Sequence, residues 1–174
     1  MKKVKFNAEF GQLAAVLAGK KTQFRNVENR LARLLDRDFT SQSVVDAQWI
    51  ADEHLLAIRL NGGEVVEHRP DYAVGEVVEV EDTNARIRIT GIRVARLCNP
   101  TMDDFWAEGF LKMLIDGCRC YAYQIEEKPL ASCRVMTMPM ISPQLAWNDL
   151  LYRTLDPMMV VCNPYSVVYQ FELI

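Results

Sequence analysis

The sequence predicts an α+β protein, a small mixed β-barrel with three or four peripheral helices. Three observations lead to that expectation. Period-2 alternation dominates residues 48–97 and returns at the C-terminus, so about five to seven strands are expected. Helical spacing is interspersed without clean strand–helix–strand alternation, which favours α+β over a parallel α/β fold. One long strand also changes face midway, as strands do where a small barrel turns a corner. At 174 residues the chain has one domain's length and buries a core without staples.

In chain order, Val4 and Phe6 suit a short opening strand. A helix over about 8–18 follows, with Phe10, Leu13, Ala14 and Leu17 at helical spacing and Gly19 placed to end it. Lys20 to Arg25 is polar and partly extended. Leu31, Leu34 and Leu35 then mark a short amphipathic helix around 28–37. Residues 49–51 and 55–60 form strands, Asn61-Gly62-Gly63 a turn, and 64–67 the return. Segment 74–81 leads to a long strand over 85–97. Its apolar positions are odd at Ile87 and Ile89 but even at Ile92 and Val94, which predicts a bulge at Thr90-Gly91. Arg86 and Arg88 are expected to pair with Glu79 and Glu81 across strands.

Thr101 caps a helix that ends at Gly109, with Asp103 and Asp104 complementing its positive end. Residues 112–142 are the least regular, and alternate Met136, Met138 and Met140 suggest a strand over the core. Ser142-Pro143 is a cap followed by proline at the first helical position. Trp147, Leu150, Leu151 and Leu155 make that helix's buried face. After Asn163-Pro164 the alternation of Tyr165, Val167, Tyr169, Phe171 and Leu173 is regular enough for a strand held inside a sheet.

Composition excludes several classes. No apolar run approaches the roughly 18 residues of a membrane span. Asn7, Glu9 and Gln12 interrupt the segment a signal peptide would need, so a cytoplasmic protein is expected. Five cysteines, including the Cys118-Arg-Cys120 pair, form neither a disulfide framework nor a zinc site, and read as free, mostly buried thiols. Phosphate-loop, dinucleotide, nucleophile-elbow and metalloprotease motifs are missing, and neither metal nor cofactor is expected. The two histidines, His54 and His68, read as surface residues. Residues 1–37 hold nine Lys/Arg against three Asp/Glu, although the whole chain carries −3. That basic start fits an anion-attracting patch or simply solvated charges. A pI near 5.5 argues against coating long duplexes.

The segment Leu17-Ala18-Gly19-Lys20-Lys21-Thr22-Gln23-Phe24-Arg25 gathers donors where a helix stops. It resembles the Gly-x-Lys signature of ASCH domains, members of the PUA-like superfamily, most closely the phage-associated ASCH-like proteins. Three further stretches resemble the family in its order: Tyr72-Ala73-Val74-Gly75-Glu76-Val77-Val78, the run from Arg86 through Met102-Asp103-Asp104-Phe105-Trp106-Ala107-Glu108-Gly109, and Asn163-Pro164-Tyr165 through Phe171. Together they cover about half the chain, all of which (1–174) reads as a single domain. The stretches at about 38–70 and 112–142 carry no resemblance and are taken as insertions.

The resemblance implies a PUA-like barrel whose Gly-x-Lys cleft serves RNA or nucleotide recognition. In a bacterial subgroup the same motif implies an amidohydrolase of N4-acetylated cytidine that uses a lysine, a threonine and a glutamate. By position these fall on Lys21, Phe24 and Glu108. Phe24 has no nucleophile, which leaves Thr22 as the substitute if it shares Phe24's face. As a binding cleft, Lys20, Lys21 and Arg25 supply cationic donors, Gln23 reads a base edge, and Phe24 or Trp106 stacks. Two plainer readings stay open. Lys21 and Glu108 could form only a structural ion pair, or the protein could be a partner-binding module using its Met-rich 130–142 stretch. The cleft readings require that Lys21 and Glu108 meet at the mouth of one concavity.

Overall fold

Strict alternation at the C-terminus places β10 (Tyr165–Leu173) between two neighbours, and its inward side chains are almost all buried. The computed structural model describes residues 1–8, 11–35, 43–115, 117–122 and 140–174. Before β10 come β1 (Lys3–Val4), α1 (Gln12–Leu17), β2 (Gln23–Asn26), α2 (Asn29–Leu35), β3 (Val44–Ile50), β4 (Leu55–Leu60) and β5 (Val65–His68). Then follow β6 (Val77–Val80), β7 (Arg86–Arg96), α3 (Met102–Ala107), β8 (Leu111–Ile115), β9 (Cys118–Ala122), α4 (Pro143–Thr154) and α5 (Pro157–Cys162). The fold is α+β. One sheet runs β1-β6-β7-β10-β2, a second β3-β4-β5, and a hairpin pairs β8 with β9.

The face switch in β7 is a bulge. Gln170 pairs with Gly91 and Phe171 with Ile89, so Thr90 is the extra residue. A Cβ on Gly91 would lie 2.5 Å from Gln170 Oε1, so any larger residue there makes that side chain turn aside. One apolar core joins the two larger sheets through Leu56, Ile58, Val78, Ile87, Ile89, Val167, Tyr169 and Phe171. A second gathers Leu97, Phe105, Phe110, Trp147, Leu150, Leu151 and Val160 around α3, α4 and α5.

Several expectations change. Among the described residues the five-stranded sheet does not close into a barrel: β1 and β2 are its edges, and the β3-β4-β5 sheet pairs only within itself. The described residues hold five helices, because Pro157, capped by Asp156, starts the short α5. The first helix begins at Gln12, since Gly11 lies in the left-handed region (φ 71°). Arg86 faces Glu79 in register as expected, but Arg88 pairs with Glu172 of β10 at 2.8 Å rather than with Glu81. Of the four described thiols, Cys120 is buried and Cys98 half-buried, whereas Cys118 and Cys162 are exposed, so the described ones are not mostly buried. Phe10, Cys133, Met136 and Met138 lie outside the described residues. No described helix is long and apolar enough to cross a membrane.

Candidate functional site

The end of α1 delivers Lys21 inward. The backbone N–H groups of Lys20 and Lys21 both donate to Ala15 O, at 2.9 and 3.0 Å, around Gly19 at φ 66°. Thr22 then anchors this corner to two elements: its N–H donates to Ala107 O at 2.7 Å, and its carbonyl accepts from Phe171 N at 2.8 Å. Gly109 makes the close approach possible. Its φ is 89°, and a Cβ there would lie 3.1 Å from Ala15 Cβ and 3.2 Å from Lys21 Cβ.

On the other side of the contact, α3 presents two carboxylates four residues apart on one face. Lys21 Nζ forms an ion pair with Glu108 Oε2, and both side chains are nearly inaccessible. The ammonium also lies 3.4 Å from Glu108 O, at the helix end that favours cations. Asp104 is a hub. It closes a reciprocal cap with Thr101, and its carboxylate accepts from Gln23 Nε2 at 3.0 Å, from Arg25 Nη2 at 2.8 Å and from Arg93 Nη2. Burial pushes its pKa up, but the Thr101 N–H, Gln23, Arg25 and Arg93 outweigh that and hold it below the ordinary aspartate value.

Arg25 also donates through Nη1 to Arg96 O at 2.9 Å, and its guanidinium lies over the Trp147 ring, 5.5 Å from the centroid. Burial lowers its pKa, opposed by Glu108 and Asp104. Its Nε is buried without a hydrogen-bond partner. Three cations (Lys21, Arg25 and Arg93) meet two carboxylates, so the cluster carries one net positive charge.

Lys21, Arg25 and Glu108 line one cleft of about 550 Å³ between the two cores. Lys5, Asn7, Gln12 and Asn26 add polar groups, while Trp147, Leu150, Leu151 and Met159 from α4 and α5 form an apolar wall. That size and mixture suit a small organic ligand. Among the described residues no cluster of His, Cys, Asp and Glu could hold a metal ion.

The sequence-derived candidates separate here. Lys21 and Glu108 meet across 87 positions of sequence at the cleft, and Arg25 joins them. Phe24 lines the cleft but is 9% exposed, stacked on Tyr169 at 5.0 Å because β2 and β10 pair these two residues. It is therefore a core aromatic and offers no open stacking face. Thr22 is exposed, does not share the buried face of Phe24, and does not line the cleft. Gln23 is buried behind the site, its amide nitrogen committed to Asp104 and, at 3.4 Å, to Glu108. Lys20 is half-buried and does not line the cleft, nor does Trp106, which leans on Tyr121. Sequence reasoning missed Asp104, Arg93, Trp147 and Lys5 as site residues. The four-residue spacing of Asp104 and Glu108 was the available signal for the first.

A second buried polar cluster lies behind Phe24. Glu28 accepts from Tyr169 OH, from Asp71 N at 3.2 Å, and contacts His68 Nε2. His68 is 1% exposed, which corrects its expected surface position: β5 pairs with β4 and turns the imidazole into the core. His54 is exposed, as expected. None of Glu28, His68, Asp71 and Tyr169 lines the cleft. No family model matches this chain, and neither does any curated protein or solved structure.

Proposed function

We propose that this protein is a PUA-like, ASCH-type domain that binds a nucleotide-sized ligand, free or as part of an RNA, in the Lys21–Arg25–Glu108 cleft. One observation carries the reading: two buried cations, Lys21 and Arg25, and one carboxylate, Glu108, line a cleft of about 550 Å³, leaving its polar wall net positive. The ordered resemblance of residues 17–25, 72–78, 86–109 and 163–171 to the family supports it. The ligand is compact, because much of the basic N-terminus is already committed. Lys2 pairs with Glu76 and Lys3 with Glu79, while Lys21 and Arg25 pair with Glu108 and Asp104. With four of the nine basic residues in positions 1–37 paired and a chain charge of −3, a compact ligand is favoured over a long phosphate backbone.

The Lys21–Glu108 pair also favours a second reading, amide hydrolysis of an acylated nucleoside such as N4-acetylcytidine. Neither family-derived position supplies an attacking hydroxyl in the cleft, since Thr22 does not line it and position 24 is phenylalanine, while the hydroxyl of Thr154, which does line it, donates to Leu150 O at 2.7 Å. Calorimetric titration with cytidine, cytidine 5′-monophosphate and a short single-stranded RNA separates the readings. Binding is expected to weaken at least tenfold in Lys21→Met, with no acetate released from N4-acetylcytidine. Lys21-dependent acetate release would establish the hydrolase instead. Absence of binding by all three ligands would remove the binding reading.

A further inference from the structure

We infer that the cleft lies along the open edge of β2, and that the main chain of Arg25, rather than its side chain, pairs with the edge of a planar base. That a base sits there rests on the nucleotide reading above; the open edge does not. Four consecutive residues, Phe24, Arg25, Asn26 and Val27, line the cleft. Side chains of a strand alternate between its faces, so a cleft that touches each residue in turn runs along the strand's edge. β2 is an edge strand, and among the described residues only β10 pairs with it.

The register fixes which main-chain groups that edge leaves open. Phe171 N donates to Thr22 O at 2.8 Å and Leu97 N to Pro164 O at 3.0 Å, which sets the alternation on both sides of β10. Tyr169 and Val167 therefore bond to Phe24 and Asn26, while Val168, opposite Arg25, turns to β7. The Arg25 N–H and C=O point away from β10, and no described group is hydrogen-bonded to either. They are also accessible. The Arg25 side chain is 2% exposed, yet the residue as a whole is half-buried, so its accessible surface is main chain. That side chain anchors the segment from within, through Arg96 O at 2.9 Å and Asp104 Oδ2 at 2.8 Å.

In an extended strand the N–H and C=O of one residue point the same way, a donor beside an acceptor. A nucleobase carries the complementary pair, such as N3 and the N4 amino group of cytosine. Cytosine seated at this edge accepts at N3 from Arg25 N–H and donates from N4 to Arg25 O. An extended peptide added as a further strand would use the same groups but needs a longer edge. Here Gln23 on one side and Glu28 on the other are buried, which confines the accessible edge to a few residues around Arg25. So short an edge suits a compact planar ligand.

Amide hydrogen exchange followed by ¹⁵N–¹H NMR tests this on the wild-type protein, without any variant. In the free protein the Phe24 and Asn26 amides should be protected, and the Arg25 amide should exchange about a hundredfold faster. Comparable protection of all three would close the edge and overturn the inference whatever the ligand. Saturation with cytidine 5′-monophosphate should move the Arg25 signal downfield and slow its exchange about tenfold. N4,N4-dimethylcytidine 5′-monophosphate, which keeps N3 but lacks the N4 donor, should bind about tenfold more weakly; equal affinity would overturn the inference. Calorimetric binding of cytidine 5′-monophosphate with the Arg25 amide unmoved would also overturn it and leave the nucleotide reading standing. Protection of Arg25 by trialanine but not by the nucleotide would overturn it in favour of strand addition. No binding of the nucleotide removes the nucleotide reading, and the base assigned to this edge goes with it, while exchange in the free protein still decides whether the edge is open.

Discussion

Two buried polar clusters sit either side of Phe24, and both leave one polar atom unsatisfied. At the first, Lys21, Arg25 and Arg93 exceed the carboxylates of Asp104 and Glu108, and the residue with the orphan atom lines a cleft. At the second, the carboxylate of Glu28 gathers His68, Tyr169 OH and the Asp71 N–H, and the orphan His68 Nδ1 belongs to a residue that lines no part of that cleft. Both orphan atoms are inaccessible, so the clusters differ in that Lys21, Arg25 and Glu108 line a cleft and Glu28, His68 and Tyr169 do not. The second cluster instead ties β5 and the start of α2 to β10.

The largest effect that can break this contrast comes from removing a buried counter-charge. Glu108→Ala strands Lys21, while Arg25 keeps Asp104, and is expected to cost about 3–5 kcal/mol in urea unfolding. The double variant Lys21→Met, Glu108→Met should recover stability, because no uncompensated charge is left at that contact. Next comes Tyr169→Phe. It removes a donor from Glu28 and an acceptor from Tyr72 N, with an expected cost of about 1–3 kcal/mol. Ligand affinity should stay as in the wild type, since this cluster is not part of the cleft.

Gly109→Ala should cost about 1–2 kcal/mol for its left-handed backbone. It should also loosen the Lys21–Glu108 contact that the new Cβ crowds, so affinity falls along with stability.

The smallest expected effect is on acid stability, where the clusters differ in sign. Asp104 titrates below its ordinary 3.8, so its stabilisation is complete above about pH 4 and is lost as pH falls through the lowered folded value. Asp71 is raised, by burial first and the Glu28 carboxylate second, despite the bond from Asn26. An acid whose folded value is raised favours folding progressively as pH drops through that value toward 3.8. Urea midpoints measured from pH 6 to 3 should therefore fall less steeply in Asp104→Asn and more steeply in Asp71→Asn than in the wild type. Parallel curves for all three would contradict the electrostatic difference.

Much of the fold was legible because it depends on local periodicity. The bulge at Thr90-Gly91, the Thr101 and Ser142 caps and the central position of β10 all follow from face alternation and capping chemistry. The closed barrel did not follow, since closure depends on strand pairings far apart in sequence. The meeting of Lys21 with Glu108 was foreseen through family resemblance, whereas nothing local to either residue requires it. Phe24 and His68 were misread for one reason: each looked polar-flanked in the linear sequence, and each is turned inward by pairing with a partner strand. Trp147 was legible as buried but not as a site residue, because its contact with Arg25 joins segments far apart in sequence.

The contrast is tested most directly by unfolding wild type, Lys21→Met and Tyr169→Phe with and without cytidine 5′-monophosphate. A ligand held by the native state stabilises by about 2.7 kcal/mol at a hundred times its dissociation constant. Wild type and Tyr169→Phe should gain the same increment, and Lys21→Met little or none. An equal gain in Lys21→Met, or no gain in the wild type, would contradict a nucleotide-binding cleft at Lys21, Arg25 and Glu108.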